Sequence, residues 1–320
     1  MRITPHLSFL CRMLLIGSVF LSPLSFATAD LENLATSNNA VTIQDARGPI
    51  TFESIPQRVV VLNWDLLEQV IELDITPVGA PNLPGYRDWV VHPAAPSSIV
   101  DIGSRAEPNM EQIAILKPDV IIAASPQKDL IDSLSQIAPV VYLPNFDGHK
   151  NDAQQAIDNF NTLAVLLGKT ALAAKKLTQM EQAFTTLKDK LATAYPELPK
   201  VLPIRFSNPT SVFMFTENST TEYVLNKLGL ENPLPKPAAP WGITQQRFQA
   251  LQHVTDGYVL YILPFPQEEK LKSSVLWKAM PFVRKGHVNA MEPVWSYGGA
   301  MSLLYTANAV TDSLLQVAPQ

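Results

Sequence analysis

Short apolar runs alternate with helically spaced segments along most of the chain. Residues 59–63 (VVVLN) form a largely apolar run suited to a strand buried on both faces of a parallel sheet. Residues 66–73 then show helical spacing, and another strand is expected to begin at 77–79. The alternation continues with a helix over 110–116 stopped by Pro118, a buried strand at 119–123, a helix over 130–137 and a strand at 140–143. Ahead of this block, residues 30–56 read as an extended lead-in with a short hairpin, 41–44 against 49–52. Such alternation predicts an α/β lobe built on a parallel sheet.

Residues 152–195 contain no proline and a single glycine, Gly168, which predicts two helices, 152–167 and 170–194. The second repeats apolar residues at Leu172, Leu177, Met180, Phe184, Leu187 and Leu191, a helical spacing. Roughly 25 residues rising about 1.5 Å each give a rod of about 37 Å, long enough to join two lobes. Beyond Pro196 the alternation restarts, with strands at 201–206 and 212–215, a helix at 221–228, a strand at 257–263 and a closing helix over 299–315. The expected fold class is α/β: two α/β lobes with central sheets, joined by a single long α-helix, with a ligand cleft between the lobes. The expected divisions are 30–168, 169–194 for the linking helix, and 195–320. A single helix offers few soft dihedrals, so modest rather than wide lobe motion is expected.

The first 29 residues break the pattern. Arg2 and Arg12 supply positive charge, 13–24 is mostly apolar, and Ala27-Thr28-Ala29 has the A-x-A form of a cleavage site. Residues 1–29 therefore read as a signal peptide, and the remainder as a soluble protein exported to the bacterial periplasm. The single cysteine, Cys11, precedes the apolar run of this leader, which argues against lipid anchoring. From residue 30 onward no cysteine is left for a disulfide, a thiolate metal site or a nucleophile. Without Arg2 and Arg12 the 24 basic residues fall to 22 against 29 acidic ones, a balance of −7 that argues against a nucleic-acid partner.

Catalytic signatures are absent. His92, His149, His253 and His287 are isolated and read as solvated surface groups, and there is no HExxH, GxSxG, P-loop or GxGxxG. The expectation is a protein that is not an enzyme and has no directly bound metal; a periplasmic hydrolase with dispersed catalytic residues is the alternative from a different class, and an envelope adaptor for proteins a further one. The aromatic residues carry more signal. Trp64 follows the first strand (RVVVLNW), Tyr86 and Trp89 lie in a proline-bounded loop (PNLPGYRDWVVHP), Trp241 closes a proline-rich loop (NPLPKPAAPWG), and Trp295 and Tyr297 precede the last helix (EPVWSYGG). Loops at the carboxyl ends of strands are where open α/β sheets bind ligands, and aromatics there line pockets as well as cores. Trp277, in a helical LWKAM stretch, is assigned to packing. In DIGSRAEPNMEQ, Asn109 and Gln112 form a helix cap and Glu111 complements the helix dipole, whereas Arg105 contributes nothing to the cap.

The segments GYRDWV, DIGSRAEPNMEQIAILKPDVII and LWKAMPFVRKGHV…PVWSYGGAMS together resemble the helix-linked class of periplasmic substrate-binding proteins, which serve ABC importers of iron–siderophore complexes, haem and cobalamin. GxRxEPN with WxYGG narrows the resemblance to the ferric-hydroxamate branch. The resemblance implies that Arg105 hydrogen-bonds oxygens around the chelated iron, that Trp241 packs on the chelate from the other lobe, and that Trp64, Trp89, Trp295 and Tyr297 line the same cleft, with Tyr86 beside them. It implies docking on an inner-membrane permease through Glu111 and, at the second-lobe position, the neutral Gln246, with Glu217 or Glu222 as neighbouring acids. One position departs: the branch carries a pocket tyrosine where this chain reads Ala124-Ser125-Pro126-Gln127. The implied partners are a ferric siderophore and an ABC permease, with the protein a monomer, no cofactor of its own, and iron entering within the ligand. Cobalamin or haem is the alternative ligand of the same class. A single arginine among aromatics fits a tris-hydroxamate, whose chelating core is neutral, better than a tris-catecholate carrying −3.

Overall fold

The computed structural model describes residues 40–147 and 151–319. The expected signal peptide lies outside them. The first half runs β1 (Val41–Asp45), β2 (Gly48–Phe52), β3 (Val59–Val61), α1 (Trp64–Glu72), β4 (Gly79–Ala80), α2 (Leu83–Trp89), β5 (Val100–Asp101), α3 (Met110–Ile115), β6 (Val120–Ala123), α4 (Ile131–Leu134) and β7 (Val140–Tyr142). Then come α5 (Asp152–Leu166) and α6 (Thr170–Ala194). The second half runs β8 (Val201–Asn208), β9 (Ser211–Phe215), α7 (Thr220–Leu228), β10 (Ile243–Arg247), β11 (Tyr258–Ile262), α8 (Glu268–Ser273), α9 (Val275–Ala279), α10 (Pro281–Arg284), β12 (Val288–Met291) and α11 (Ser302–Gln316).

β1 and β2 pair as the expected hairpin. The first five-stranded sheet has the order β5-β4-β3-β6-β7 and is parallel throughout. Its central strands β3 and β6 are wholly buried, as their unbroken apolar runs require. The second sheet, β10-β9-β8-β11-β12, is mixed. Pro209 and Thr210 alone separate β8 from β9, too few residues for a crossover, so these strands turn back as an antiparallel pair and β10 adds antiparallel to β9. β11 and β12 lie parallel on the other side of β8.

α5 ends at Gly168, whose φ of +66° permits the left-handed turn that separates it from α6. α6 packs against α5 on one side and against α7 and α11 of the second half. Met180, Phe184, Leu187 and Leu191 are its buried stripe. The largest buried apolar cluster runs from Val59 and Leu66 through Phe184 to Val224 and Val310, so the two lobes share one core. Trp277 sits in a second cluster under β8 and β11, as expected.

α1 departs from an ordinary amphipathic helix because its polar side is buried too. Glu68 Oε2 accepts from the Gly299 N–H at 2.8 Å and from Ser302 Oγ. Glu72 accepts from Tyr305 Oη and from Lys176 Nζ on α6. This polar stripe is the seam on which the amino end of α11 sits. Gly298 and Gly299 allow the approach: a Cβ on Gly299 would stand 2.2 Å from Gln69 Cγ and 2.8 Å from the Asp65 carbonyl oxygen.

Candidate functional site

The carboxyl end of every strand of the parallel sheet delivers a residue to one cavity of about 570 Å³. Asn63 follows β3, Asn82 follows β4, Ser104 and Arg105 follow β5, Pro126 follows β6 and Phe146 follows β7. The order β5-β4-β3-β6-β7 reverses direction beside β3, the topological position at which open α/β sheets bind ligands. The second lobe closes the cavity with Arg205 from β8, Trp241 from the loop before β10, and Trp295 and Tyr297 from the loop after β12. An adjoining cavity of about 260 Å³ shares Arg105, Arg205 and Trp295 and adds Trp64 and Trp89.

Arg105 is positioned by its backbone. The wholly buried Gln127 side chain donates Nε2 to the Arg105 carbonyl at 2.7 Å and accepts from the Ala124 N–H at 3.0 Å, tying the β5 loop to the end of β6. The turn then enters α3 through Asn109, whose side chain accepts from the Gln112 N–H at 2.9 Å. The Arg105 guanidinium carbon lies 3.9 Å from the Trp64 ring centroid and 5.6 Å from that of Trp295. Burial lowers the Arg105 pKa and the charge of Asp65 opposes the shift; a guanidinium stays charged through such changes. Asp65, buried at the start of α1, has its carboxyl pushed up to about 7 by desolvation.

Trp64 is 3 % exposed and acts as the platform under Arg105. Its Nε1 donates to the Pro81 carbonyl at 3.0 Å, and its ring meets Trp295 edge-on at 5.1 Å. Tyr86 does not line the cleft. The segment expected as a loop forms α2, capped by Asn82 with Pro84 in its first turn, and this turns Tyr86 inward. Tyr86 is wholly buried, donates its hydroxyl to the Pro93 carbonyl at 2.8 Å and supports Trp64 edge-on from behind at 6.2 Å.

Trp241 takes a left-handed backbone, φ +63°, rare for a bulky residue, and so does Phe146, φ +64°. The Trp241 N–H donates to the Phe146 carbonyl at 3.0 Å across the lobe boundary. Their rings stack at 6.1 Å and 11°, while Tyr297 meets Trp241 edge-on at 6.1 Å. Trp241 is 43 % exposed, a large aromatic held open at the cleft.

Arg205 and Phe146 are among the lining residues that the sequence reading did not single out. Arg205 donates Nη2 to Tyr297 Oη at 3.2 Å and lies 5.9 Å from the Trp295 ring. The cleft therefore holds two arginines, one from each lobe, rather than the single arginine expected. The legible signal was a charge inside the apolar strand VLPIRF. Phe146 follows β7 in a stretch with no motif, and nothing in the sequence marks it. Of the docking positions, Glu111 is exposed in the first turn of α3; Gln246 lies on the edge strand β10, half-buried, with Nε2 donating to Thr244 Oγ1 at 3.2 Å. Of the histidines, His287 is not a solvated group: its ring stacks on Tyr258 at 4.3 Å. His149 lies outside the described residues.

The sequence profile described as periplasmic binding protein matches residues 59–294, which runs from β3 of the first lobe through the linking helix to the loop after β12 in the second. The chain belongs to that family. This periplasmic binding protein is 28 % identical over 266 residues to the iron(3+)-hydroxamate-binding protein FhuD of Escherichia coli K12, covering 81 % of this chain and 87 % of the relative. It is 30 % identical to the Fe(3+) dicitrate-binding periplasmic protein FecB of the same organism, over 79 % of this chain and 82 % of that one. The crystal structure of the Fe3+–Desferal-bound siderophore-binding protein FhuD from Vibrio cholerae is 61 % identical and superposes with a TM-score of 0.81, covering 82 % of this chain and 99 % of that chain. Each of these is named as a binding protein, and the family is one of binding proteins, not of enzymes.

Proposed function

We propose that this protein captures a ferric hydroxamate siderophore in the cleft between its lobes and delivers it to an inner-membrane ABC importer. The observation that carries the reading is the convergence of Arg105 with Trp241, Trp295 and Tyr297 on one cavity of about 570 Å³, in a chain 61 % identical to a protein crystallised with Fe3+–Desferal. In this reading Arg105, held from behind by Gln127 and Trp64, presents its fork of N–H donors to the chelating oxygens, while the Trp241 and Trp295 faces cover the apolar parts of the ligand. Trp64 and Trp89 form the wall of the adjoining cavity. Iron is cargo inside the ligand, and no protein group replaces a siderophore oxygen on it.

The lobes divide near 168 and 194, as the run of secondary structure suggests, and the shared core favours small adjustments over wide closure. Residues 1–29 act as a cleavable export signal, and the protein works in the periplasm as a monomer. Glu111 and Gln246 face the permease, the first as an anion and the second as a neutral hydrogen-bonding group.

A tryptophan-fluorescence titration with ferric hydroxamate, ferric catecholate, ferric citrate, haem and cobalamin tests the reading. Ferric hydroxamate is expected to quench strongly at the lowest concentration, because Trp241 and Trp295 border the cavity. Stronger binding of haem or cobalamin, or no quenching by any hydroxamate, would sink it.

A further inference from the structure

Arg205 lies in β8 among Val201, Leu202, Ile204 and Phe206, all buried. A charge placed in such a strand costs desolvation unless something repays it. Its side chain leaves the strand toward the cleft and borders both cavities, as Arg105 does from the other lobe. Tyr297 fixes its direction by accepting from Nη2 at 3.2 Å, and the guanidinium carbon sits 5.3 Å from the Tyr297 ring, 5.9 Å from Trp295 and 5.1 Å from Phe213. Among the described residues, no aspartate or glutamate lines either cavity, and no carboxylate oxygen lies within 4.0 Å of either guanidinium. The acid that Arg105 senses, Asp65, is buried in α1 outside the lining.

Two cations thus face one cleft whose described lining offers no counter-charge. A neutral tris-hydroxamate chelate would desolvate Arg205 without charge compensation and Arg105 with only the buried Asp65 behind it, whereas an anionic group on the ligand offsets that cost and gains charge-assisted hydrogen bonds. Resting on the ferric-hydroxamate reading above, we infer that Arg205 is a second anion-recognising group, aimed by Tyr297, and that with Arg105 it tunes the cleft to ferric hydroxamates carrying a free carboxylate or comparable anionic group. Arg105 serves the chelate itself; Arg205 selects the charge of what surrounds it.

The test uses three ferric complexes that share one chelating core: desferrioxamine B with its free terminal amine (cationic), its N-acetyl derivative (neutral) and its N-succinyl derivative (anionic). Affinities for the wild-type protein are expected to rise in that order, by about tenfold from cationic to anionic at low ionic strength, with the spread narrowing as salt is added. Arg205→Gln is expected to shrink the spread to about twofold or less, and Arg205→Lys to keep most of it because the charge remains. Circular dichroism and thermal melting establish that each variant is folded. If Arg205→Gln does not fold, Tyr297→Phe, which removes only the acceptor for Nη2, is expected to reduce the spread in the same direction. Equal affinities for the three complexes in the wild-type protein, or a spread unaltered by the variants, overturn the role of Arg205 and leave the ferric-hydroxamate reading standing. Failure of all three to bind the wild-type protein overturns that reading and this one with it.

Discussion

Arg105 owes its place to the groups packed around it. Gln127 holds its carbonyl, Asn109 ends its turn, and the Trp64 face carries its guanidinium at 3.9 Å. Such a pre-positioned cation loses little rotamer freedom on binding, so most of each hydrogen bond it makes is realised as affinity. Arg105→Ala is expected to weaken ferric-hydroxamate binding by about 1.5–3 kcal/mol, the scale of a charge-assisted hydrogen bond. Isothermal titration against one ferric hydroxamate measures this, and an unchanged dissociation constant would remove Arg105 from the site. That Trp241, Trp295 and Tyr297 border the cavity was legible from aromatics beside turn residues, and Arg105 only from the family resemblance, since its turn chemistry gave it no role. Tyr86 was not, because the difference between a loop aromatic and a core aromatic lay in whether PNLPGYRDW would close into a helix. Arg205 was hidden for the opposite reason: which side of β8 faces the cleft depends on how that sheet is oriented against the first lobe.

At the scale of elements, α1 and the amino end of α11 make one close contact between the two halves of the chain. The Gly298-Gly299 pair lets the amino end of α11 rest on Gln69 and on the Asp65 carbonyl, with the Gly299 N–H donated to Glu68. Gly299→Ala would put a methyl group 2.2 Å from Gln69 Cγ, and the backbone oxygen at 2.8 Å leaves no room to move aside. The expected cost is on the order of 1–3 kcal/mol of stability, read from urea denaturation. Ligand affinity is expected to fall as well, since Trp295 and Tyr297 sit immediately before the pair. A variant as stable as the wild type would show that the contact is not close-packed. The sequence made the strand–helix alternation and the break at Gly168 readable, and α6 spans the expected residues 170–194. It did not reveal that β8 and β9 form a hairpin, because an apolar run of that length suits either a parallel or an antiparallel neighbour. Nor did it reveal the buried polar side of α1, which as an isolated helix would face water.

For the whole molecule, the buried carboxyls at the seams set how stability varies with pH. Desolvation raises Asp65 and Asp152 to about 7 and Glu68 well above its ordinary range. The fold favours their protonated forms, so their contribution is complete below about pH 4, the unfolded carboxyl range, and is lost as pH rises through about 7. The melting temperature is therefore expected to rise as pH falls from 8 to 5, and Glu68→Gln, which keeps a neutral acceptor for Gly299 and Ser302, is expected to flatten that rise. A wild-type melting temperature independent of pH over this interval would contradict the assignment. By itself the sequence determined the α/β class, the long linking helix, the separation of the chain into two alternating blocks and a set of loop residues suited to binding, because periodicity, turn residues and helix caps are local properties of the chain. The tertiary structure alone decided which of those loops converge, that Tyr86 supports the site from behind rather than lining it, that a second arginine enters from β8, and that one core and one polar seam join the lobes. Each of these depends on how distant segments pack, and packing between segments hundreds of residues apart leaves no periodic trace in either of them.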